Sequence, residues 1–108
     1  MSGLGFNIST SADRAVVEVS GDVDVATAPD LLEAILAMHT AADWQDVTVD
    51  LGGVAFMDSS GLATLVLARR RLAANRCRLR IDNARPGVVK VLEVSGVGDY
   101  LNDEELPT

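Results

Sequence analysis

Two serines and an aspartate stand together in the middle of the chain, in the run Asp58-Ser59-Ser60-Gly61. The apolar pattern before this run is typical of a strand, and the apolar spacing after it predicts a helix. The serines are therefore expected at a helix start, where backbone N–H groups and the helix dipole favour a phosphate. Gly61 should leave both hydroxyls approachable. An ordinary helix cap explains the same residues, and the run alone does not decide between the two.

A phosphate on either serine would add a charge of roughly −2 beside Asp58. A partner that binds the neutral hydroxyl would then no longer bind, because the added charge is repelled by nearby acids and is costly to desolvate. Two further acids, Asp22 and Asp24, follow an earlier strand pattern. They are interpreted as shaping an edge that faces a partner or as orienting a serine hydroxyl, and two solvated acids remain the alternative. They lack the further ligands that a preformed metal site needs.

The loops that follow parallel strands gather at one edge of an open sheet. This rule predicts that the loops starting at Gly21, Leu51 and Ile81 converge. The side chains brought to that edge would be Asp22, Asp24, Asp58, Ser59, Ser60 and Asn83.

The elements that position these residues are expected in the order β-β-α-β-α-β-α. The strand patterns cover residues 6–10, 15–19, 46–51 and 77–81, with a short edge strand at 99–102. The helix patterns run from an N-cap at Thr27 to about 39, from about 60 to 74, and from 86 to 94. The first two strands form a hairpin, and right-handed crossovers make the central strands parallel neighbours. We expect one domain over residues 1–108, with flexible ends at 1–5 and 103–108.

The helix at 60–74 has two predicted faces. Its inner side carries Leu62, Leu65, Val66, Leu72 and Ala73. Its outer side carries Ala63, Leu67, Arg70, Arg71 and Ala74. An exposed Leu67 beside arginines suits a protein-docking surface, and a leucine half-covered by a neighbouring element is the equal alternative.

Composition excludes several function classes. The net charge of −7 argues against phosphate-backbone binding, although seven of nine cations lie between Arg69 and Arg85. No apolar run is long enough for a membrane span and no signal-peptide pattern is seen, so a cytoplasmic protein is expected. Cys77 is the single cysteine and is expected to be buried in a strand. His39 is the single histidine, which leaves a zinc site or a serine triad without partners.

Two short motifs carry a family resemblance. Gly21-Asp22-Val23-Asp24 resembles the Gly-acid-x-Asp signature of the STAS domain, and Phe56-Met-Asp-Ser-Ser-Gly-Leu62 resembles that of the bacterial anti-sigma factor antagonists. The similarity covers nearly the whole chain, including Val94-Ser-Gly-Val97. It implies an α/β STAS fold, in which a mixed sheet of four or five strands, parallel at its centre, packs against three or four helices.

The resemblance also implies a mechanism. Ser59 would be phosphorylated by a GHKL-type serine kinase that doubles as the anti-sigma factor. The unphosphorylated protein would bind this kinase and free a sigma factor, and a PP2C-type phosphatase would restore it after phosphorylation. Ala63 stands where many members carry a second glycine. The expected partner-binding residues are Asp22, Asp24, Asp58, Ser59, Ser60, Gly61, Ala63, Leu67 and Arg70.

We therefore expect a protein-binding switch without catalytic activity, cofactor or metal, and without direct contact with nucleic acid or membrane. It should be a monomer or weak dimer when free. The alternative is a STAS adaptor subunit of a membrane lipid-transport complex, which would be indifferent to Ser59→Asp. A small hydrolase using Ser59 or Ser60 would lack a general base, and nucleotide binding would lack a Gly-rich phosphate cradle.

Overall fold

The computed structural model describes residues 3–41 and 44–96. The elements are β1 (Gly5–Ser11), β2 (Arg14–Ser20), α1 (Ala28–Ala41), β3 (Asp46–Gly53), α2 (Ser59–Ala74), β4 (Arg78–Asp82) and α3 (Pro86–Ser95). This is the predicted order. The strand expected at 99–102 and the flexible end expected at 103–108 lie outside the described residues.

The four strands form one sheet in the order β1-β2-β3-β4. β1 pairs antiparallel with β2 as a hairpin, whereas β2–β3 and β3–β4 are parallel. The predictions of a hairpin and of parallel central strands are confirmed. Within the segment 1–5, which the sequence predicts to be a flexible end, Leu4 is buried and Gly5 pairs with Ser20.

Alternation decides which face of the sheet forms the core. In β2 and β3 every second side chain is buried, namely Ala15, Val17, Val19, Val47, Val49 and Leu51. Because successive side chains of a strand point to opposite faces, the buried set lies on one face, which the helices cover. Leu31 and Ile35 of α1 and Leu65 and Leu72 of α2 belong to the same core. The other face of the sheet is open to solvent.

One acid on the open face is buried under cross-strand partners. Asp46 lies in register with Arg14 on one side and Arg78 on the other. Arg78 Nε donates to Asp46 Oδ1 at 2.9 Å, and Arg14 Nε lies 3.7 Å from Asp46 Oδ2. The paired cations make burial of this carboxylate tolerable.

The two predicted faces of α2 are found with two corrections. All five residues expected on the outer side are exposed, while Leu62, Leu65 and Leu72 are buried as expected. Val66 is only half-buried and Ala73 is exposed. Arg69 is also buried, as are Thr64 and Ala68.

The remaining predictions concern ends and single residues. β4 begins at Arg78 rather than at Cys77, but the Cys77 side chain is buried as expected. α3 ends at Ser95, and Gly96 adopts the left-handed conformation at φ +77°, which is a common way to end a helix. Among the described helices, none combines the length and apolar character that crossing a bilayer requires.

Candidate functional site

The loops that follow β2 and β3 are joined by backbone hydrogen bonds. Val23 and Met57 form an isolated parallel bridge, in which Val23 N donates to the Phe56 carbonyl at 2.9 Å. Asp58 N in turn donates to the Val23 carbonyl at 3.1 Å. The bridge places the acidic loop directly beside the start of α2, so the predicted convergence of these two loops is confirmed. Val23 and Met57 are both buried, which anchors the bridge in the core.

Asp58 caps α2. Its backbone is extended, with φ −107° and ψ −170°, and its Oδ1 accepts from Ser60 N at 2.8 Å and Gly61 N at 3.4 Å. This geometry is that of an N-cap residue. The capping alternative is therefore correct for Asp58. It leaves both serines inside the helix, which starts at Ser59 rather than at 60.

The two serines differ in exposure. Ser59 is the first residue of α2 and its side chain is exposed, whereas Ser60 is only partly exposed. The Ser60 N–H is already bound by the capping carboxylate. An enzyme or a binding partner that approaches this edge therefore meets the Ser59 hydroxyl more readily than the Ser60 hydroxyl.

The sequence suggested that Gly61 leaves the serine hydroxyls approachable. In the structure its role is different, because it allows α2 to pack closely against the Val23–Met57 bridge. The residue is buried, and a Cβ built on it would lie 2.5 Å from Met57 Cγ and 2.8 Å from Val23 Cγ1. Any side chain here would push the first turn of α2 away from the bridge. Gly61 therefore supports the site from inside, and its expected place among the partner-binding residues stays a prediction.

The acidic loop is held by its own side chains. Asp24 Oδ1 accepts from Ala26 N at 2.9 Å and from Thr27 N at 3.1 Å. Thr27 Oγ1 accepts from Asp24 N at 3.0 Å and donates to the Asp22 carbonyl at 2.8 Å. Asp24 therefore shapes the loop, and its recorded hydrogen bonds do not reach a serine.

The same contacts correct the role of Thr27. α1 begins at Ala28, directly after Thr27, as the sequence predicts. The Thr27 hydroxyl, however, forms hydrogen bonds with the backbone of the preceding loop. An N-cap residue, as the sequence predicted for Thr27, would instead accept from the N–H groups of the first turn of α1. Asp22 is exposed at the same edge.

Asn83 lies at the same end of the sheet but is bound elsewhere. Its Nδ2 donates to Asp50 Oδ2 at 3.1 Å, and its backbone is left-handed at φ +60°. Asn83 thus ties the end of β4 to β3. Its predicted convergence with the serines is not supported by any recorded contact with them.

Exposed apolar side chains flank the serines in sequence, and two of them, Val25 and Phe56, were not among the predicted partner-binding residues. Val25 in the acidic loop is 76% exposed and Phe56 beside the bridge is 50% exposed. Leu67, two turns along α2 from Ser59, is 36% exposed. Apolar residues that break the strand and helix periodicity next to a turn are the signal that could have identified Val25 and Phe56. Below, Val25, Phe56, Ser59, Ala63 and Leu67 are called the Ser59 surface.

Within residues 3–41 and 44–96, no three His, Cys, Asp or Glu side chains lie close enough together to hold a metal ion.

Comparisons with known proteins agree with the motifs and the fold. A family model described as "Mlab, STAS domain" matches residues 6–106. An anti-sigma-B factor antagonist of Staphylococcus epidermidis is 30% identical over 102 residues, covering 94% of this chain and 94% of that protein. The chain belongs to the STAS-domain family of anti-sigma factor antagonists. The anti-sigma-B factor antagonist of Staphylococcus aureus strain NCTC 8325 is also 30% identical, over 104 residues.

Solved structures of STAS proteins share the fold. An anti-sigma factor antagonist from Mycobacterium paratuberculosis superposes with a TM-score of 0.79 at 25% identity, covering 93% of this chain and 83% of that one. The anti-sigma factor antagonist SpoIIAA in its unphosphorylated form gives a TM-score of 0.75 at 24% identity, covering 89% and 84%. The predicted STAS fold and the family resemblance are confirmed.

Proposed function

We propose that this protein is an anti-sigma factor antagonist whose binding to an anti-sigma factor is controlled by phosphorylation of Ser59. The observation that carries the proposal is the exposed Ser59 at the first position of α2, directly after its capping aspartate and beside the acidic loop. The names of the staphylococcal relatives support the antagonist role. SpoIIAA, which shares the fold, has been solved in a phosphorylated form as well.

The binding mode follows from the side chains at this edge. Val25, Phe56 and Leu67 offer exposed apolar area, and burying such area is the main favourable term in protein association. Asp22 and Arg70 are also exposed and carry opposite charges. The proposed partner is a GHKL-type anti-sigma factor with serine kinase activity, which would cover the Ser59 surface in the cytoplasm. A PP2C-type phosphatase would restore the protein after phosphorylation.

The switch follows from the occupied helix cap. Asp58 Oδ1 already accepts from the N–H groups of Ser60 and Gly61, so a phosphate on Ser59 would have to compete for those donors. Its charge would instead add to those of Asp58 and the nearby Asp22. A partner that has buried the neutral hydroxyl would therefore meet a hydrated dianion, and binding would be lost.

The experiment combines phosphosite mapping with binding. The protein is incubated with ATP and each candidate anti-sigma kinase, and the modified residue is identified by mass spectrometry. Binding of the same kinase is then measured for wild type, Ser59→Ala, Ser59→Asp and, as the matched control, Ser60→Asp. We expect labelling at Ser59 and a loss of affinity of at least tenfold for Ser59→Asp, with a smaller loss for Ser60→Asp.

Two results would contradict the proposal. If the kinase labelled Ser60 alone, the proposal would have named the wrong hydroxyl as the switch. The absence of labelling by every kinase, together with wild-type binding by Ser59→Asp, would remove the switch altogether. If the Ser59→Asp protein also co-purified with a transporter ATPase, the alternative role as an adaptor in a lipid-transport complex would replace it.

A further inference from the structure

β1 is an outer strand whose side chains are all accessible. It stands first in the sheet order, and among the described residues no strand pairs with its outer edge. All seven residues from Gly5 to Ser11 are exposed. Ile8, which shares the core-side face with Phe6 and Thr10, is 52% exposed. The edge therefore combines backbone donors and acceptors with apolar side chains.

This edge lacks the features that usually keep edge strands apart. Natural sheets protect their edges with charged side chains, especially lysine, with proline or with bulges. The β1 sequence Gly-Phe-Asn-Ile-Ser-Thr-Ser contains no charge and no proline, and its pairing with β2 is continuous. The absence of charge is notable in a chain with a net charge of −7.

An apolar groove of about 330 Å³ runs beneath the same edge. Its described lining consists of Phe6, Ile8, Thr10, Ala34, Ala37, Met38 and Trp44. The one ring nitrogen in this set, Trp44 Nε1, donates to the Met38 carbonyl at 3.1 Å. The groove thus presents neutral apolar surface between β1 and α1.

We propose that β1 pairs antiparallel with β1 of a second copy of this chain. The two-fold axis would pass beside Ile8, the central residue of the strand, so that Ile8 faces its own copy and Phe6 faces Thr10 of the second copy. Two such chains repel each other over most of their surface because both are acidic. No charged side chain stands in β1 or in the described lining of the groove, so these residues bring no like charges together when two copies meet.

The size of the contact sets its strength. Seven strand residues and the groove side chains are fewer than the 20–30 residues a side that form a standard interface. Interfaces of standard size already reach only micromolar affinity when their hot spots are poor. We therefore expect a reversible dimer with a dissociation constant weaker than about 1 μM. None of its residues belongs to the Ser59 surface, so the dimer is independent of the proposed switch.

Sedimentation velocity over a concentration series tests the association. Wild type should shift from monomer to dimer between low micromolar and millimolar concentration. Ile8→Lys, which places a charge on the two-fold axis, should remain a monomer throughout. Val94→Lys, which changes a more exposed residue on α3, is the matched control and should dimerise as wild type does. Circular dichroism confirms that both variants are folded.

Cysteine cross-linking tests the register. Directly opposed residues have Cβ atoms about 4.5–5.5 Å apart, close to the spacing of a disulfide, so Ile8→Cys should form a covalent dimer on mild oxidation. Two copies of Thr10→Cys would lie about 14 Å apart along the strands and should not cross-link. Wild type, whose single Cys77 is buried, gives the background.

Three results would overturn the proposal. The first is that wild type stays monomeric at millimolar concentration, in which case the groove would bind another part of the chain or a different protein. Another is an Ile8→Lys variant that dimerises as wild type does. The third is equal cross-linking of Ile8→Cys and Thr10→Cys, which would exclude the two-fold register.

Discussion

Gly61→Ala should destabilise the protein even though alanine favours helices. Gly61 lies in the first turn of α2, where the new methyl group would meet Met57 Cγ at 2.5 Å and Val23 Cγ1 at 2.8 Å. Val23 is fully buried and branched at Cβ, so it cannot move aside by rotating a flexible end. The methyl group can therefore be accommodated only if the first turn of α2 shifts away from the bridge.

The magnitude follows from two opposing effects. Overpacking a core by one methyl group costs about 1–3 kcal/mol, and replacing glycine by alanine in a helix returns at most about 1 kcal/mol. We expect a net loss of about 1–2 kcal/mol in the free energy of unfolding. For a domain of this size the midpoint of thermal unfolding should fall by roughly 5–10 °C.

The chain offers a matched control in Gly87→Ala. Gly87 also lies in the first turn of a helix, α3, but a Cβ there would have no atom within 4 Å. This variant should be neutral or more stable by up to about 1 kcal/mol. Urea denaturation followed by circular dichroism measures both. If Gly61→Ala were as stable as Gly87→Ala, the close packing of α2 against the bridge would be refuted.

Two other changes test the core and the Ser59 surface. Burial, and then the charge of Asp46, raises the pKa of the Cys77 thiol above its ordinary value of 9.0. Because the folded state keeps the thiol neutral, the stability that Cys77 contributes is fully present below pH 9.0 and is lost as the pH rises through the folded pKa. The difference in unfolding free energy between wild type and Cys77→Ala should therefore shrink above pH 9.0 in urea titrations, and a constant difference would contradict the assignment. Phe56→Ser should weaken binding of the proposed kinase by about fivefold or more in titration calorimetry, because truncating an aromatic anchor at an interface costs more than about 1 kcal/mol. Val94→Ser removes a still more exposed apolar side chain outside the Ser59 surface and should bind as wild type does; equal losses in both variants would exclude a specific contact by Phe56.

Local patterns were sufficient to predict most of the fold. Alternation in β2 and β3 identified the buried face, since a period of two residues is fixed by strand geometry itself. The outer face of α2 followed from helical periodicity in the same way. Asp46 shows the limit of this reasoning, because its burial depends on strand register, which sets Arg14 and Arg78 beside it.

The site was harder to predict than the fold because its contacts are distant in sequence. Nothing local to Gly61 indicates that its missing side chain makes room for Met57 and Val23. Asp24 and Thr27 form hydrogen bonds within their own loop. Several other partners were equally compatible with the sequence, so composition does not determine this pairing. The choice of Ser59 over Ser60 came from family resemblance, and exposure now supports the same residue.

The order of strands in the sheet has a consequence for how the chain folds. Because spatial order β1-β2-β3-β4 equals chain order, each new strand pairs with the one made just before it. None of the described strands has to insert between two earlier ones. The β1–β2 pairing closes a two-residue turn, whereas the β2–β3 and β3–β4 pairings each close a longer connection that contains a helix. The sheet can therefore grow at one edge while the chain is still being synthesised. The fold avoids a long-lived gap in the sheet, where an unpaired inner strand could capture another nascent chain.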